Sequence, residues 1–429
     1  MSPLPRRAFL LTAASSLAVQ GANDRINVAV VGLRGRGRDH ITEYANQPNT
    51  RIAAVCDIDS AQTERAVALA EKLGAGKPRT YHDLRKLLED KEVDAVSIAN
   101  CNHWHALSTI WACQAGKDVY VEKPASHNIW EGRRMVEAAR KYNRIVQAGM
   151  QSRSIEHKQR AIELLRNGAI GKLYMAKGLC YKRRTSIGRG PDGPVPPGVN
   201  YDQWLGPAPM RPFNPNRFHY NWHWFWDTGN GDIGNQGVHE MDIARWGLGK
   251  SGLPTKVVSE GGKFAYNDDQ ETPNTQTAIL DYGDAQLVFE VRGLITPGEA
   301  TVRTDANTIG NIFFGTEGYM VVDSHKFEVF RGENRELVEE GKAGGRIWDT
   351  GPHIANFLKA MRSRRHQDLN ADIEEGHISA ALCHMANISY RVGRKLKFDP
   401  ATENFPGDEE ANQLVSRKYR EPYVVPAKV

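Results

Sequence analysis

The chain has 429 residues, room for roughly two to three domains of about 150 residues each. With 40% apolar and 25% charged residues, and only 40 Gly and 21 Pro, its composition excludes a small stapled module, a collagen-like chain and a disordered one. Lys and Arg number 56 against 51 Asp and Glu, a net +5 too even to argue for a nucleic-acid partner. The five cysteines, Cys56, Cys101, Cys113, Cys180 and Cys383, lack any CxxC spacing and are odd in number, which argues against a disulfide framework or a zinc site.

The chain opens with Pro5-Arg6-Arg7-Ala8-Phe9-Leu10, then apolar and small residues to Val19 and the pair Gly21-Ala22. This start resembles a twin-arginine export signal, which implies a removable leader over 1–22, use of the twin-arginine export machinery, and a periplasmic or otherwise exported destination. A cytoplasmic protein with a basic N-terminus is the alternative. The apolar run is about a dozen residues, too short for a permanent span, and no membrane anchor is expected after export.

Residues 25–149 read as a nucleotide-binding domain. Ile26 to Val31 is a β-branched strand that ends in Gly32-Leu33-Arg34-Gly35-Arg36-Gly37, after which the pattern becomes helical. Gly32 suits the tight turn and Gly37 the close packing of helix on strand. Amides at the helix start face a pyrophosphate, and Arg34, Leu33 and Gly35 belong to the same cradle. The next strand ends at Asp57, about twenty residues beyond Gly37, where a carboxylate binds ribose hydroxyls and repels a 2′-phosphate, favouring NAD. Asp59 is the better helix cap. Further strands run from Val93 to Ala99, Asp118 to Val121 and Ile145 to Ala148, so the domain is expected to be a doubly wound parallel sheet. Asn100, His105, Glu122 and Lys123 all fall at carboxyl ends of strands, where ligands bind.

The glycine turn, Asp57, the Asn100 to His105 segment and Glu122-Lys123-Pro124 together resemble the Gfo/Idh/MocA oxidoreductase superfamily, and the resemblance covers the chain beyond the leader. It implies that Lys123 lies beside the nicotinamide and the substrate hydroxyl, with Glu122 and Gln151 near the nicotinamide ribose. Residues 150–400 are then the substrate domain, an α/β unit with a largely antiparallel open-faced sheet that commonly supports homo-oligomers, and 401–429 form a C-terminal extension. The residue pattern agrees: a helix from Ile155 to Asn167 precedes strands near 173–176, 255–264, 275–280, 286–291 and 319–322.

The chemically rich stretch runs from Gly229 to Trp246, where a helix beginning near Asn235 sets Asn235, His239 and Asp242 along one face. The family resemblance implies a proton-accepting histidine assisted by a carboxylate in the pattern Asp-x-x-x-His-x-x-Asp. His239 and Asp242 match it, but Asn235 replaces the first carboxylate, and an amide cannot carry a proton. His239 is therefore the expected base, helped by Lys123. Four of the nine Trp lie between Trp204 and Trp226 in a Pro/Gly-rich segment, as for a carbohydrate pocket, with Arg217, His219, Tyr220 and Trp226 as substrate-side candidates. The same tryptophans could instead anchor a long loop. His377 and His384 share a helix face without a completing ligand, so no metal is expected.

The leading expectation is an NAD-dependent oxidoreductase acting on a secondary alcohol of a sugar, cyclitol or glycoside. One alternative is an NAD-dependent glycosidase that works by transient C3 oxidation and elimination. The other is a non-catalytic sugar-binding protein that retains NAD.

Overall fold

The computed structural model describes residues 25–303, 306–346 and 349–429. The Arg6-Arg7 leader and its 1–22 boundary lie outside the described residues. Six strands open the chain: β1 (Ile26–Val31), β2 (Thr50–Cys56), β3 (Arg79–Tyr81), β4 (Ala95–Ile98), β5 (Asp118–Val121) and β6 (Val146–Ala148). All pair in parallel in the order β3-β2-β1-β4-β5-β6. The crossovers contain α1 (Arg36–Ala45), α2 (Ser60–Lys72), α3 (Leu84–Leu88), α4 (Asn102–Gln114) and α5 (Ile129–Lys141). Covered on both faces, β4 and β5 are buried throughout, so neither shows a buried–exposed alternation. Asp59 caps α2 by accepting from the Ala61 amide, and Asn128 caps α5 at Glu131. The strand order reverses between β1 and β4, so the loops after those two strands diverge and leave a crevice.

After α6 (Glu156–Arg166) comes a nine-stranded sheet made of β7 (Leu173–Tyr181), β8 (Lys256–Gly262), β9 (Thr275–Asp281), β10 (Gln286–Arg292), β11 (Thr308–Gly315), β12 (Gly318–Asp323), β13 (Lys326–Arg331), β14 (Glu336–Lys342) and β15 (Leu396–Lys397). Its order is β14-β13-β12-β11-β7-β10-β9-β8-β15, antiparallel throughout except between β7 and β10. Strands β11, β13 and β14 escape the sequence reading. In β11 the first six residues are all buried, so there is no alternation to see, while β14 is an edge strand rich in exposed charge.

The remaining helices are α7 (Tyr201–Leu205), α8 (Gly231–Asn235), α9 (Gly237–Gly247), α10 (Gly351–Ser363), α11 (Ile373–Val392) and α12 (Glu409–Asn412). Helix α9 lies close against the sheet because Gly237 has no side chain: a Cβ there would come within 2.4 Å of the Phe289 ring.

Two segments cross the domain division read from the sequence. Ile354, Phe357, Leu358 and Met361 of α10 pack with Ile26, Val28, Val30 and Tyr120, so this helix joins the core of the nucleotide-binding sheet rather than that of 150–400. Residues 198–226 form a strap that reaches back over the loops following β2 and β4. The Ser60 amide donates to Gly198 (3.0 Å) and the Asn200 amide to Ile58 (2.9 Å), while Trp204, Phe213, Phe218 and Trp222 bury themselves with Ile58 and Cys101. The C-terminal segment holds this strap in place, since Arg420 and Tyr423 both donate to Asp202.

Candidate active site

A cleft of about 540 Å³ opens at the carboxyl ends of β1, β2, β4 and β5, roofed by the strap and reaching Asn235 of α8. At its nucleotide end, Gly32 adopts φ +80° and packs so tightly that a Cβ would stand 2.5 Å from the Asn100 amide nitrogen. A Cβ on Gly37 would lie 1.8 Å from the Gly32 carbonyl oxygen, so helix and turn meet there through glycine alone. Gly35 (φ +49°) has open space where a side chain would project, and with exposed Arg34 it lines the cleft. Leu33 is buried and contributes only its amide, which donates to Asp57 Oδ2 at 2.7 Å. Asp57 Oδ1 accepts from the Asp59 amide at 3.0 Å, and burial pushes this carboxyl up to about 6. Asn100 Oδ1 is a buried acceptor with no partner among the described residues. The open glycine cradle, the cation beside it, the Asp57 carboxylate and this orphaned acceptor fit a dinucleotide with a free ribose diol.

His105 also lines the cleft, but both its ring nitrogens face backbone carbonyls, Pro124 at 2.7 Å and Asn100 at 3.0 Å. It staples the loops after β4 and β5 together, which gives it a positioning role beside its cofactor-side location. Glu122 is the hub of a buried network. Its Oε1 accepts from Arg36 (Nη2, 3.1 Å) and from Gln151 (2.9 Å), and lies 3.1 Å from His40 Nε2. Burial opposes its ionisation, yet Arg36 and His40 hold the carboxyl well below its ordinary range. Gln151 also donates to the Tyr120 hydroxyl (2.9 Å), so both residues expected near the nicotinamide ribose are fixed before any ligand arrives.

Lys123 projects from the end of β5 across to the second domain. Its Nζ donates to the Asn235 carbonyl (2.6 Å) and to Asn235 Oδ1 (3.2 Å). Burial pushes the ammonium down to about 8, with Arg36 and Lys182 adding to that effect against the pull of Glu122. The polar segment is two helices rather than one, since α8 ends at Asn235 and α9 begins at Gly237. His239, in the first turn of α9, is buried and pushed down to about 3 by desolvation and by the positive charge of Lys123.

Asp242 sits in a buried charge cluster. Its carboxylate takes two bonds from Arg153, both 2.8 Å, and one from Ser379 at 2.6 Å, and these partners hold it ionised against the cost of burial. Asp242, expected on the catalytic face, does not line the cleft, and its oxygens are engaged by Arg153 and Ser379.

Of the substrate-side candidates, His219 and Tyr220 line the cleft, whereas Arg217 and Trp226 do not. Arg217 lies over the Phe225 ring at 5.5 Å, and Trp226 pairs with Arg391 (5.1 Å) on the far side of the strap. In their place stand Trp222 and His223, stacked with ring centres 3.6 Å apart. The sequence reading also passed over Lys182 and Arg184. Arg184 makes a bidentate pair with Asp232 (2.8 and 2.7 Å), and Lys182 approaches Gln236. The run Tyr181-Lys182-Arg183-Arg184 at the end of a strand was the available signal.

Residues 26–150 match the oxidoreductase family with an NAD-binding Rossmann fold, and residues 181–285 and 316–425 match its C-terminal α/β domain. The chain belongs to the Gfo/Idh/MocA oxidoreductase family. Its first domain is accordingly an NAD-binding Rossmann domain, and its second the α/β partner typical of the family. A myo-inositol 2-dehydrogenase of Thermotoga maritima is 30% identical over 255 residues, which span 59% of this chain and 64% of that one. Inositol 2-dehydrogenase 2 of Saccharopolyspora erythraea is 30% identical over 335 residues, 74% of this chain and 86% of that one. Among solved structures, the WlbA dehydrogenase of Bordetella pertussis, in complex with NADH and UDP-GlcNAcA, superposes with a TM-score of 0.63 at 19% identity over 87% of this chain and 99% of that one. That likeness is one of fold. Among the described residues no cluster of His, Cys, Asp or Glu could hold a metal ion, and no helix is long and apolar enough to cross a membrane.

Proposed function

We propose that this family member oxidises a secondary alcohol of a sugar, cyclitol or glycoside, with Lys123 taking the hydroxyl proton. The observation that carries the reading is the setting of Lys123: a half-buried, cleft-lining amine that donates to both oxygens of Asn235 and is pushed down to about 8. A base works best when its pKa lies near the working pH. Lys123 meets that condition, whereas His239, pushed down to about 3, binds a proton too weakly near neutrality. The relay expected of His239 therefore centres on Lys123, and His239 becomes a neutral neighbour one turn beyond Asn235.

Bound NAD supplies the hydride acceptor. The hydroxyl oxygen gives its proton to the neutral amine, the carbinol carbon becomes a carbonyl, and Asn235 receives the new ammonium through both its oxygens. Gly35, Arg34, Asp57, Asn100, Glu122 and Gln151 are the residues that would hold the nucleotide. The stacked Trp222 and His223, with His219 and Tyr220, supply flat faces and hydroxyl partners suited to a sugar ring. The inositol dehydrogenases among the relatives support a polyol substrate. The strap supports a nucleotide that stays with the protein, and the Arg6-Arg7 signal is compatible with export of a chain folded around it.

The test is a screen of sugars, cyclitols and aryl glycosides against natively purified protein, following nicotinamide absorbance and products together. Reduction of bound nicotinamide matched by a keto product supports the reading. Free aglycone without net reduction would move it to glycoside cleavage, and protein that neither carries nor binds NAD would end it.

A further inference from the structure

His223, which lines the cleft from the strap, is held on three sides and open on the fourth. It belongs to the single helical turn Asn221–Trp224. Its backbone packs closely on the loop that follows: a Cβ on Gly229 would come within 2.4 Å of the His223 carbonyl oxygen. The Thr228 hydroxyl donates to the Trp222 carbonyl at 2.8 Å and ties the turn to the same loop. The imidazole is stacked on Trp222, with ring centres 3.6 Å and planes 21° apart, and the Tyr220 ring stands 4.9 Å from it.

The hydrogen bond of this ring decides where its proton sits. Nδ1 lies 2.6 Å from the Tyr220 carbonyl oxygen, which can only accept, so Nδ1 carries the hydrogen. Nε2 has no hydrogen-bond partner among the described residues. Burial, with Lys123 and Arg184 adding repulsion, pushes the ring down to about 3, so it stays neutral and Nε2 keeps its lone pair. The action of Lys123 on His223 also sets the two side chains at one end of the cleft. His105 and His219, which line the cleft as well, are otherwise occupied: His105 faces two carbonyls, and His219 Nε2 lies 3.5 Å from Asp59 Oδ2.

We propose that His223 determines specificity for a second hydroxyl of the substrate: Nε2 accepts its hydrogen bond while the carbinol hydroxyl faces Lys123, so the cleft selects a diol over a lone secondary alcohol. The chemistry of the acceptor narrows the ligand group. An ionised carboxylate or phosphate would bring only lone pairs to Nε2, and an ammonium group would meet the charge of Lys123. An uncharged donor remains, which in a sugar or cyclitol is a hydroxyl. This rests on the cleft being the substrate site proposed above, and concerns which alcohols enter it rather than what happens to them.

The test is calorimetric titration of the NADH-bound protein, whose reduced cofactor accepts no hydride, with D-glucose, D-galactose and myo-inositol and with their single-position deoxy and deoxyfluoro analogues. Fluorine fills the place of the hydroxyl but brings no proton. At one ring position both replacements are expected to weaken binding about threefold to tenfold, the loss of one hydrogen bond. His223→Phe keeps a flat ring on Trp222 without a lone pair and should abolish discrimination at that position. His223→Gln, whose Oε1 accepts in place of Nε2, should retain more of it, with cofactor stoichiometry in both variants reporting an intact fold. No saturable binding of any of the three polyols, no position at which both replacements weaken binding, an unchanged penalty in His223→Phe, or equal loss of discrimination in the two variants each overturns the inference. Sugars oxidised by the NAD form with no position that depends on His223 would overturn it and leave the oxidoreductase reading standing. A position that depends on His223, with no nicotinamide reduction by any of these polyols, would do the reverse.

Discussion

The Lys123 ammonium donates to both the backbone and the side-chain oxygen of Asn235, at 2.6 and 3.2 Å, and so ties the end of β5 to the last residue of α8. One domain supplies the amine and the other its acceptors. An amide in that place accepts a hydrogen bond without adding a full negative charge, which lets burial keep the amine near 8 rather than at its ordinary 10.5.

Lys123→Met is expected to lower turnover by about a hundredfold to ten-thousandfold while NAD stays bound, the usual contribution of a general base. Lys123→Arg should not restore it, because guanidinium stays protonated. His239→Gln should retain more turnover than Lys123→Met. Steady-state rates beside NAD titrations decide the order, and equal losses in the two variants would return the proton to His239.

The rate of alcohol oxidation should rise with pH through about 8 and then level, since the neutral amine is the active form. Asn235→Asp places a carboxylate on the ammonium and should move that rise upward by about one unit or more. The measurement is a pH–rate profile of both proteins. An unmoved profile would detach the titrating group from Lys123.

Asp57 gives a second pH effect at lower pH. Burial raises it to about 6, so acidification through that value protonates the group that accepts ribose hydroxyls, and NAD affinity should fall below about pH 6. The ionised carboxylate costs the folded state stability, a cost relieved as pH drops from about 6 toward the ordinary 3.8. Fluorescence titrations with NAD, set beside unfolding curves across this range, would separate the two signs.

Asp242→Asn should destabilise the protein by up to about 3 kcal/mol, because it takes one of two counter-charges from buried Arg153 and leaves it only a share of Glu375, which Arg245 also holds. The midpoint of urea unfolding reports this. Joint replacement with Arg153→Met should recover part of the loss, since no lone charge is then left behind.

Asp202→Ala removes the anchor for Arg420 and Tyr423 and should speed NAD release severalfold at little cost in stability, Asp202 being largely exposed. Displacement of bound NAD by a labelled analogue measures it. An unchanged rate would mean that the strap does not retain the nucleotide.

Short-range signals made the first domain legible. Ile26 to Val31 running into Gly32 and Gly37, with Asp57 at the end of the next strand, specifies a dinucleotide fold locally, because each residue answers to its own turn or strand. The same reading found the helix near 155–167 and lost β11 and β14, where burial on both faces or exposure at an edge erases the period-2 alternation.

By itself, then, the sequence determined the strand-turn-helix chemistry of the nucleotide cradle and set Lys123 and Asn235 at element ends. Periodicity reports that a face is buried but not what buries it. The tertiary structure alone decided that α10 returns to the first sheet, that the strap closes over the Asp57 end, and that Arg153 and Ser379 claim Asp242. Each of these joins residues far apart in the chain, and only the packing of whole elements brings such residues together.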